Sequence, residues 1–288
     1  MRDRYCYWSV VDGPYAPMMA SVVESARLAG VFKEFHIWTD RDIPGAVCHP
    51  IKRFDKRHYL FKLHFLRKEV RRLRHEYFVW LDADTWFVRD PGDVLRVMQG
   101  SPVHSSLESD ACDARNVRPD WWGCSLRNYA VLMRFRGVHS RSIYNVNAGF
   151  WIVHRDVIDT FCDLCFDFWR FCKRAGYVFT EEALLAYATH LLCGDPYRHT
   201  LRNTSDLWAS DWTGVYGGRL PDGQPWQFVD YFNEEASTVN PAIVHAMRSK
   251  EVLVRRALDA EAAAGGVKAS GAALVARARV RRARNSRQ

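Results

Sequence analysis

The sequence predicts an α/β domain built on an open, mostly parallel central sheet with helices on its faces. Three observations carry that expectation. Strand-like and helix-like segments alternate through residues 5–81, as parallel pairing requires, because each crossover between parallel strands needs a connecting helix. Residues 77–81, Tyr-Phe-Val-Trp-Leu, are apolar without a break, the pattern of a strand covered on both sides. Asp12, Asp40 and Asp82 each close one of the first three expected strands, and ligands of open α/β sheets bind beyond those carboxyl ends.

Residues 5–11 are β-prone and stop at Asp12-Gly13-Pro14, a turn signal. Residues 15–28 carry Met18, Val22 and Ala26 at helical spacing, with Gly30 placed to end the helix. Residues 35–39 form the second strand. Residues 59–73 give an amphipathic helix with Leu60, Leu63, Leu66, Val70 and Leu73 on one face. Lys62, Arg67, Lys68, Arg71 and Arg72 fall on the other, expected to meet solvent. Residues 77–81 are the third strand. Residues 100–142 read as a loop-rich, substrate-shaping insertion around Trp121-Trp122-Gly123, with one helix at 127–136. A strand at 144–154, an apolar helix at 157–172 and a helix at 180–192 follow, the last opened by a Thr180 cap. Residues 205–240 are rich in Trp, Gly and Pro.

A hydrophobic content of 48% with 26% charged residues is that of a soluble globular protein. The net charge of +8 sits at one end: residues 248–288 hold 11 Lys/Arg against 3 Asp/Glu, so residues 1–247 are balanced. That distribution argues against a body-wide nucleic-acid surface and for no specific nucleic-acid partner. The division expected is a catalytic domain over 1–250, with a nucleotide-binding half to about residue 100 and an acceptor-shaping half after it, then a basic tail over 251–288. The end of that tail is too poor in apolar residues to order itself. Basic residues near an anionic membrane contribute roughly 1 kcal/mol each, so the tail is a candidate for peripheral membrane contact. Residues 1–8 lack the apolar run of a secretory signal, and no window approaches the roughly 20 apolar residues of a span. The expected location is the cytoplasm, peripheral at the inner face of the membrane. Cys162-x-x-Cys165 has no second ligand pair at zinc spacing and reads as core thiols. Cys112 and Cys124 flank a polar loop and could pair, which a reducing compartment disfavours. The 11 Trp and 12 Tyr exceed ordinary packing needs and suit sugar stacking, although most belong to core or half-buried surface.

Asp82 and Asp84 stand two residues apart just beyond a buried strand. Two carboxylates facing a common point repel unless a proton or a cation relieves them. A hard divalent ion does so and keeps positions open for phosphate oxygens. The run Trp80-Leu-Asp-Ala-Asp-Thr-Trp-Phe87, preceded by Lys62-x-x-Phe65-Leu66, resembles the GT-A fold glycosyltransferases, and most closely the retaining branch that includes glycosyltransferase family 8. Asn147-Ala148-Gly149-Phe150 resembles that group's N-A-G segment beside the donor sugar. His245 resembles the late histidine that completes the metal shell, and Lys250 the lysine that holds the diphosphate. The chain departs from the family pattern in the five-residue spacing of His245 and Lys250 and in Glu181-Glu182, where an Asp-Gln pair is usual.

The resemblance implies a GT-A catalytic domain that moves a sugar from a nucleotide sugar to a glycan or lipid-linked acceptor, with retention. It implies Mn²⁺, or Mg²⁺, held by Asp82, Asp84 and His245, and a UDP-sugar ahead of a GDP-sugar. Asp12, Tyr15, Lys62, Asn147, Ala148, Gly149 and Lys250 would then contact the donor, and Glu181 and Glu182 the reacting sugar. Each has an alternative reading. Gly149 either lets the backbone approach the sugar or relieves crowding in a strand; Glu181 and Glu182 either bond sugar hydroxyls or favour a helix amino terminus. Asp12 can serve a turn and Tyr15 the core. An inverting enzyme would need a carboxylate base, for which Asp211 and Asp230 are candidates. Two other classes compete. A haloacid-dehalogenase-type phosphatase would want Thr or Val where Trp86 stands, and its Asp motif after the first strand. A basic-tailed binding module would depend on the tail alone.

Overall fold

The computed structural model describes residues 4–51, 60–110, 112, 124–194, 205–210, 226–230, 235–239 and 241–245. Lys250, the 251–288 tail, Asp211 and Trp121-Trp122-Gly123 lie outside the described residues. The chain enters through β1 (Tyr5–Val10), α1 (Ala16–Leu28), β2 (Phe35–Thr39) and β3 (Val47–Pro50). It continues with α2 (Phe61–Lys68), β4 (Tyr77–Leu81), β5 (Thr85–Phe87), β6 (Val103–Asp110), α3 (Leu126–Phe135) and β7 (Tyr144–His154). α4 (Ile158–Arg174), α5 (Glu181–Cys193), β8 (Trp208–Ser210), β9 (Trp226–Asp230), β10 (Glu235–Val239) and β11 (Ile243–His245) complete it.

The central sheet has the order β3-β2-β1-β4-β7-β6. β3, β2, β1 and β4 are parallel, but β7 runs antiparallel to both β4 and β6. The sheet is therefore mixed, with three of its five strand pairings parallel. The alternation of a strand explains the two cores. Cys6, Trp8 and Val10 of β1 and Phe78 and Trp80 of β4 face α2, α3, α4 and α5, while Tyr5, Tyr7, Val79 and Leu81 face α1. The tryptophans that these faces bury are packing residues: Trp8 meets Trp80 at a 4.6 Å ring separation and Trp151 at 5.6 Å.

Three sequence expectations change. Residues 103–110, expected inside a loop, form the edge strand β6. Two of its buried serines are hydrogen-bonded: Ser105 Oγ meets Thr189 Oγ1 at 3.0 Å, and Ser106 Oγ donates to the Phe150 carbonyl at 3.2 Å. Thr180 does stand at the N-cap of α5, but its hydroxyl makes no capping bond. Lys62, expected in solvent, is only 3% exposed. Cys162 and Cys165 do sit in the core as thiols, donating to the carbonyls of Leu63 and Leu184, and Cys112 and Cys124 are not joined in a disulfide. Among the described residues no helix is long and apolar enough to cross a membrane.

A second, three-stranded sheet has the order β5-β11-β8. β11 is antiparallel to β5, with His245 opposite Thr85, and parallel to β8, with His245 opposite Ser210. This small sheet carries a late residue, His245, to the turn that follows β4. One irregularity matters beside it. Ser105 of β6 pairs with Trp151, yet the next residue, Ser106, pairs with Asn147. Ala148, Gly149 and Phe150 thus bulge from the β6 ladder, a distortion that re-aims backbone and side chains.

Candidate functional site

β4 runs straight into Asp82 because the strand's apolar run ends there and Asp82 N is held by the Gly149 carbonyl at 3.0 Å. Thr85 closes the turn, its hydroxyl and amide both donating to the Asp82 carbonyl at 2.9 and 3.2 Å. The two oxygens of Asp82 have separate tasks. Oδ1 accepts from Lys62 Nζ at 2.9 Å and from Trp80 Nε1 at 2.8 Å. Oδ2 faces His245 Nε2 at 3.9 Å. That same nitrogen lies 3.1 Å from Asp84 Oδ1. One potential ligand atom from each of Asp82, Asp84 and His245 lies within 4.8 Å of the others. Asp84 and His245 are buried and Asp82 is partly open, the geometry of a centre with one accessible side.

The histidine is oriented from behind. Ser210 Oγ lies 3.4 Å from His245 Nδ1, and the Trp208 ring packs 5.3 Å from the imidazole. In the tautomer in which Nδ1–H donates to this hydroxyl, Nε2 presents its lone pair toward Asp82 and Asp84 and could bind a cation. Gly149 also lies against the ring. A Cβ there would come within 2.6 Å of His245 Cε1, 2.7 Å of Nδ1 and 2.9 Å of Asn147 Oδ1. The glycine is required by that approach, not by its backbone angles.

Lys62 links the turn to α5. Its ammonium binds Glu181 Oε1 at 2.6 Å as well as Asp82, and lies 4.7 Å over the Trp80 ring. Burial alone would lower the Lys62 pKa, but the charges of Asp82 and Glu181 outweigh it and raise the pKa above the usual lysine value. Glu181 moves the other way from a simple ion pair: burial raises its pKa against the pull of Lys62. Lys62, with two carboxylates around it, is the member held firmly charged. Glu182 Oε1 accepts from Ala148 N at 3.4 Å. Asn147 Oδ1 accepts from Gly149 N at 2.8 Å, and its amide donates to Glu108 Oε1 at 3.3 Å.

The structure therefore brings together Asp82, Asp84, His245, Lys62, Glu181, Glu182, Asn147, Ala148 and Gly149. Asp12 and Tyr15 lie just past the carboxyl end of the neighbouring β1, Asp12 half-buried and Tyr15 39% exposed. Asp40, at the end of β2, accepts from Gly13 N and fixes that turn. Ser210, Trp80 and Glu108 were not legible as site residues. Trp80 reads as one more apolar strand residue, and Ser210 and Glu108 carry no motif. No known family model matches the chain, and no curated protein matches it.

Proposed function

We propose that this protein is a metal-dependent GT-A glycosyltransferase, moving a sugar from a nucleoside-diphosphate sugar to a glycan or lipid-linked acceptor with retention at the anomeric carbon. The observation that carries this reading is the convergence of Asp82, Asp84 and His245 at the carboxyl edge of a central strand. Two carboxylates and an imidazole suit a hard divalent ion that tolerates one nitrogen ligand, Mn²⁺ ahead of Mg²⁺. When bound, the ion supplies Lewis-acid stabilisation of the charge on a departing diphosphate.

The chain's own residues prepare that chemistry. Lys62 and Trp80 take up Asp82 Oδ1, which turns Oδ2 toward His245. Ser210 fixes the histidine. Gly149, on the bulge, leaves the imidazole room and offers backbone to the donor sugar. Glu181 and Glu182, at the amino end of α5, border the same space, and Lys62 positions Glu181. Asp12 and Tyr15 stand where the nucleoside of a UDP-sugar would lie, at a strand end beside the metal turn. Lys250 is the candidate for the diphosphate. The basic tail holds the enzyme to anionic membrane, and equal flotation with liposomes by full-length protein and protein lacking residues 258–288 would exclude that role.

The test is release of nucleoside diphosphate from UDP- and GDP-sugars with Mn²⁺. The expected outcome is turnover that stops on chelation and falls more than about 100-fold in Asp84→Ala, with circular dichroism unchanged. Undiminished turnover in that variant refutes the assignment. The anomeric configuration of the product, read by NMR, separates retention from inversion.

A further inference from the structure

At the amino ends of the parallel strands, opposite the Asp82 turn, a second group of ligating side chains meets inside the protein. Cys6 is the second residue of β1, His36 the second of β2, and His75 stands two before β4. Cys6 is fully buried, and His36 and His75 are 7% and 8% exposed. One ligand atom from each lies within 4.8 Å of the others. We propose that Cys6, His36 and His75 form a structural zinc site, with Glu34 completing or capping it from the solvent side. This site is independent of the glycosyltransferase reading.

Five features fit a metal better than a plain polar core. The donor set, a thiol and two imidazoles, is one that zinc prefers, and tetrahedral bonds place neighbouring ligand atoms roughly 3.3–3.6 Å apart, within reach of small rotations here. The two histidines point the same nitrogen at one place: His36 Nε2 and His75 Nε2 lie 3.0 and 3.3 Å from Glu34 Oε2. His36 Nδ1 lies 2.9 Å from His49 Nε2, so the ring is already oriented from behind, as metal-bound histidines are. The segment carrying His75 is fixed by Arg155, whose guanidinium donates to the carbonyls of Arg71, Leu73 and His75. Glu34 is more than half exposed and marks the path by which an ion enters. On binding, the Cys6 thiol gives its proton to solvent and its sulfur becomes the zinc ligand. The site then ties β1, β2 and the segment entering β4 together.

A sulfur ligand makes the proposal separable from the carboxylate centre. Metal-free full-length protein titrated with Co²⁺ should develop a thiolate-to-cobalt charge-transfer band at one equivalent per chain. The band should persist in Asp84→Ala and vanish in both Cys6→Ser and His75→Ala, while Cys112→Ser keeps it. X-ray absorption at the zinc edge of Zn²⁺-loaded wild-type protein needs no variant and should show one sulfur with nitrogen and oxygen in the first shell. A first shell without sulfur, or a charge-transfer band that survives Cys6→Ser, overturns the assignment.

Discussion

At the carboxyl edge of the sheet, Asp82, Asp84 and His245 stand in or beside a turn, whereas at the amino edge Cys6 and His36 sit within strands and His75 just before one. The first group is rich in carboxylate, includes Lys62 as a built-in counterion and leaves Asp82 partly open. The second is a thiol and two imidazoles, with all three residues buried and the Glu34 carboxylate at its mouth. The two ends of the sheet thus carry ligand groups of different kinds, one oxygen-rich and one with sulfur and nitrogen donors. A centre that must release a charged product benefits from oxygen ligands, an open side and a second charge to hold it in shape. One that only binds strands together benefits from closure.

That contrast is broken most strongly at Lys62. Its removal in Lys62→Met leaves Asp82 and the buried Glu181 without their partner, an expected loss of about 3–5 kcal/mol in denaturant unfolding. Lys62→Met combined with Glu181→Leu should recover part of the loss. A single-variant cost below about 1 kcal/mol would mean that the ammonium does not hold the turn. The next effect is on the metal alone. Ser210→Ala removes the bond to His245 Nδ1 and should weaken Mn²⁺ binding about 10–100-fold while leaving cobalt at Cys6 untouched; equal weakening at both would show a general unfolding instead. Gly149→Ala should do the same to Mn²⁺ by pushing the imidazole aside, and unchanged affinity would contradict the close approach.

The smallest effect is in pH. The Glu181 pKa is raised in the folded protein, chiefly by burial. The protonated acid therefore contributes stability below the ordinary value of 4.5, and that contribution is lost as pH rises through the folded pKa. In chelator, Glu181→Gln lacks that loss, so its stability relative to wild type should rise with pH across the window just above 4.5. A flat difference contradicts the shift.

The same division governs what the sequence reveals. Strand β4 is legible because an unbroken apolar run has few other uses, and β1 and β2 because short β-prone segments stop at Asp12 and Asp40. β6 is hidden because Ser105, Ser106 and Glu108 look like loop; only tertiary partners such as Thr189 and Asn145 satisfy them. Helical spacing puts Lys62 on the polar face, and only the packed neighbours Asp82 and Glu181 reveal that this member of it is buried. His245 could be proposed only through resemblance, since the β5–β11 pairing joins residues 160 positions apart (Thr85 and His245). Cys6, His36 and His75 share no motif at all. Two strands and the segment entering a third deliver them, and no linear spacing encodes that meeting.

The central claim is that Asp82, Asp84 and His245 hold one divalent ion that a diphosphate then shares. Its most direct test is Mn²⁺ binding to full-length protein, followed by electron paramagnetic resonance with and without UDP. One Mn²⁺ should bind and be tightened by UDP, with the same reciprocal gain for UDP, and both should be lost in Asp84→Ala. Equal Mn²⁺ affinity in that variant, or binding indifferent to UDP, would contradict it.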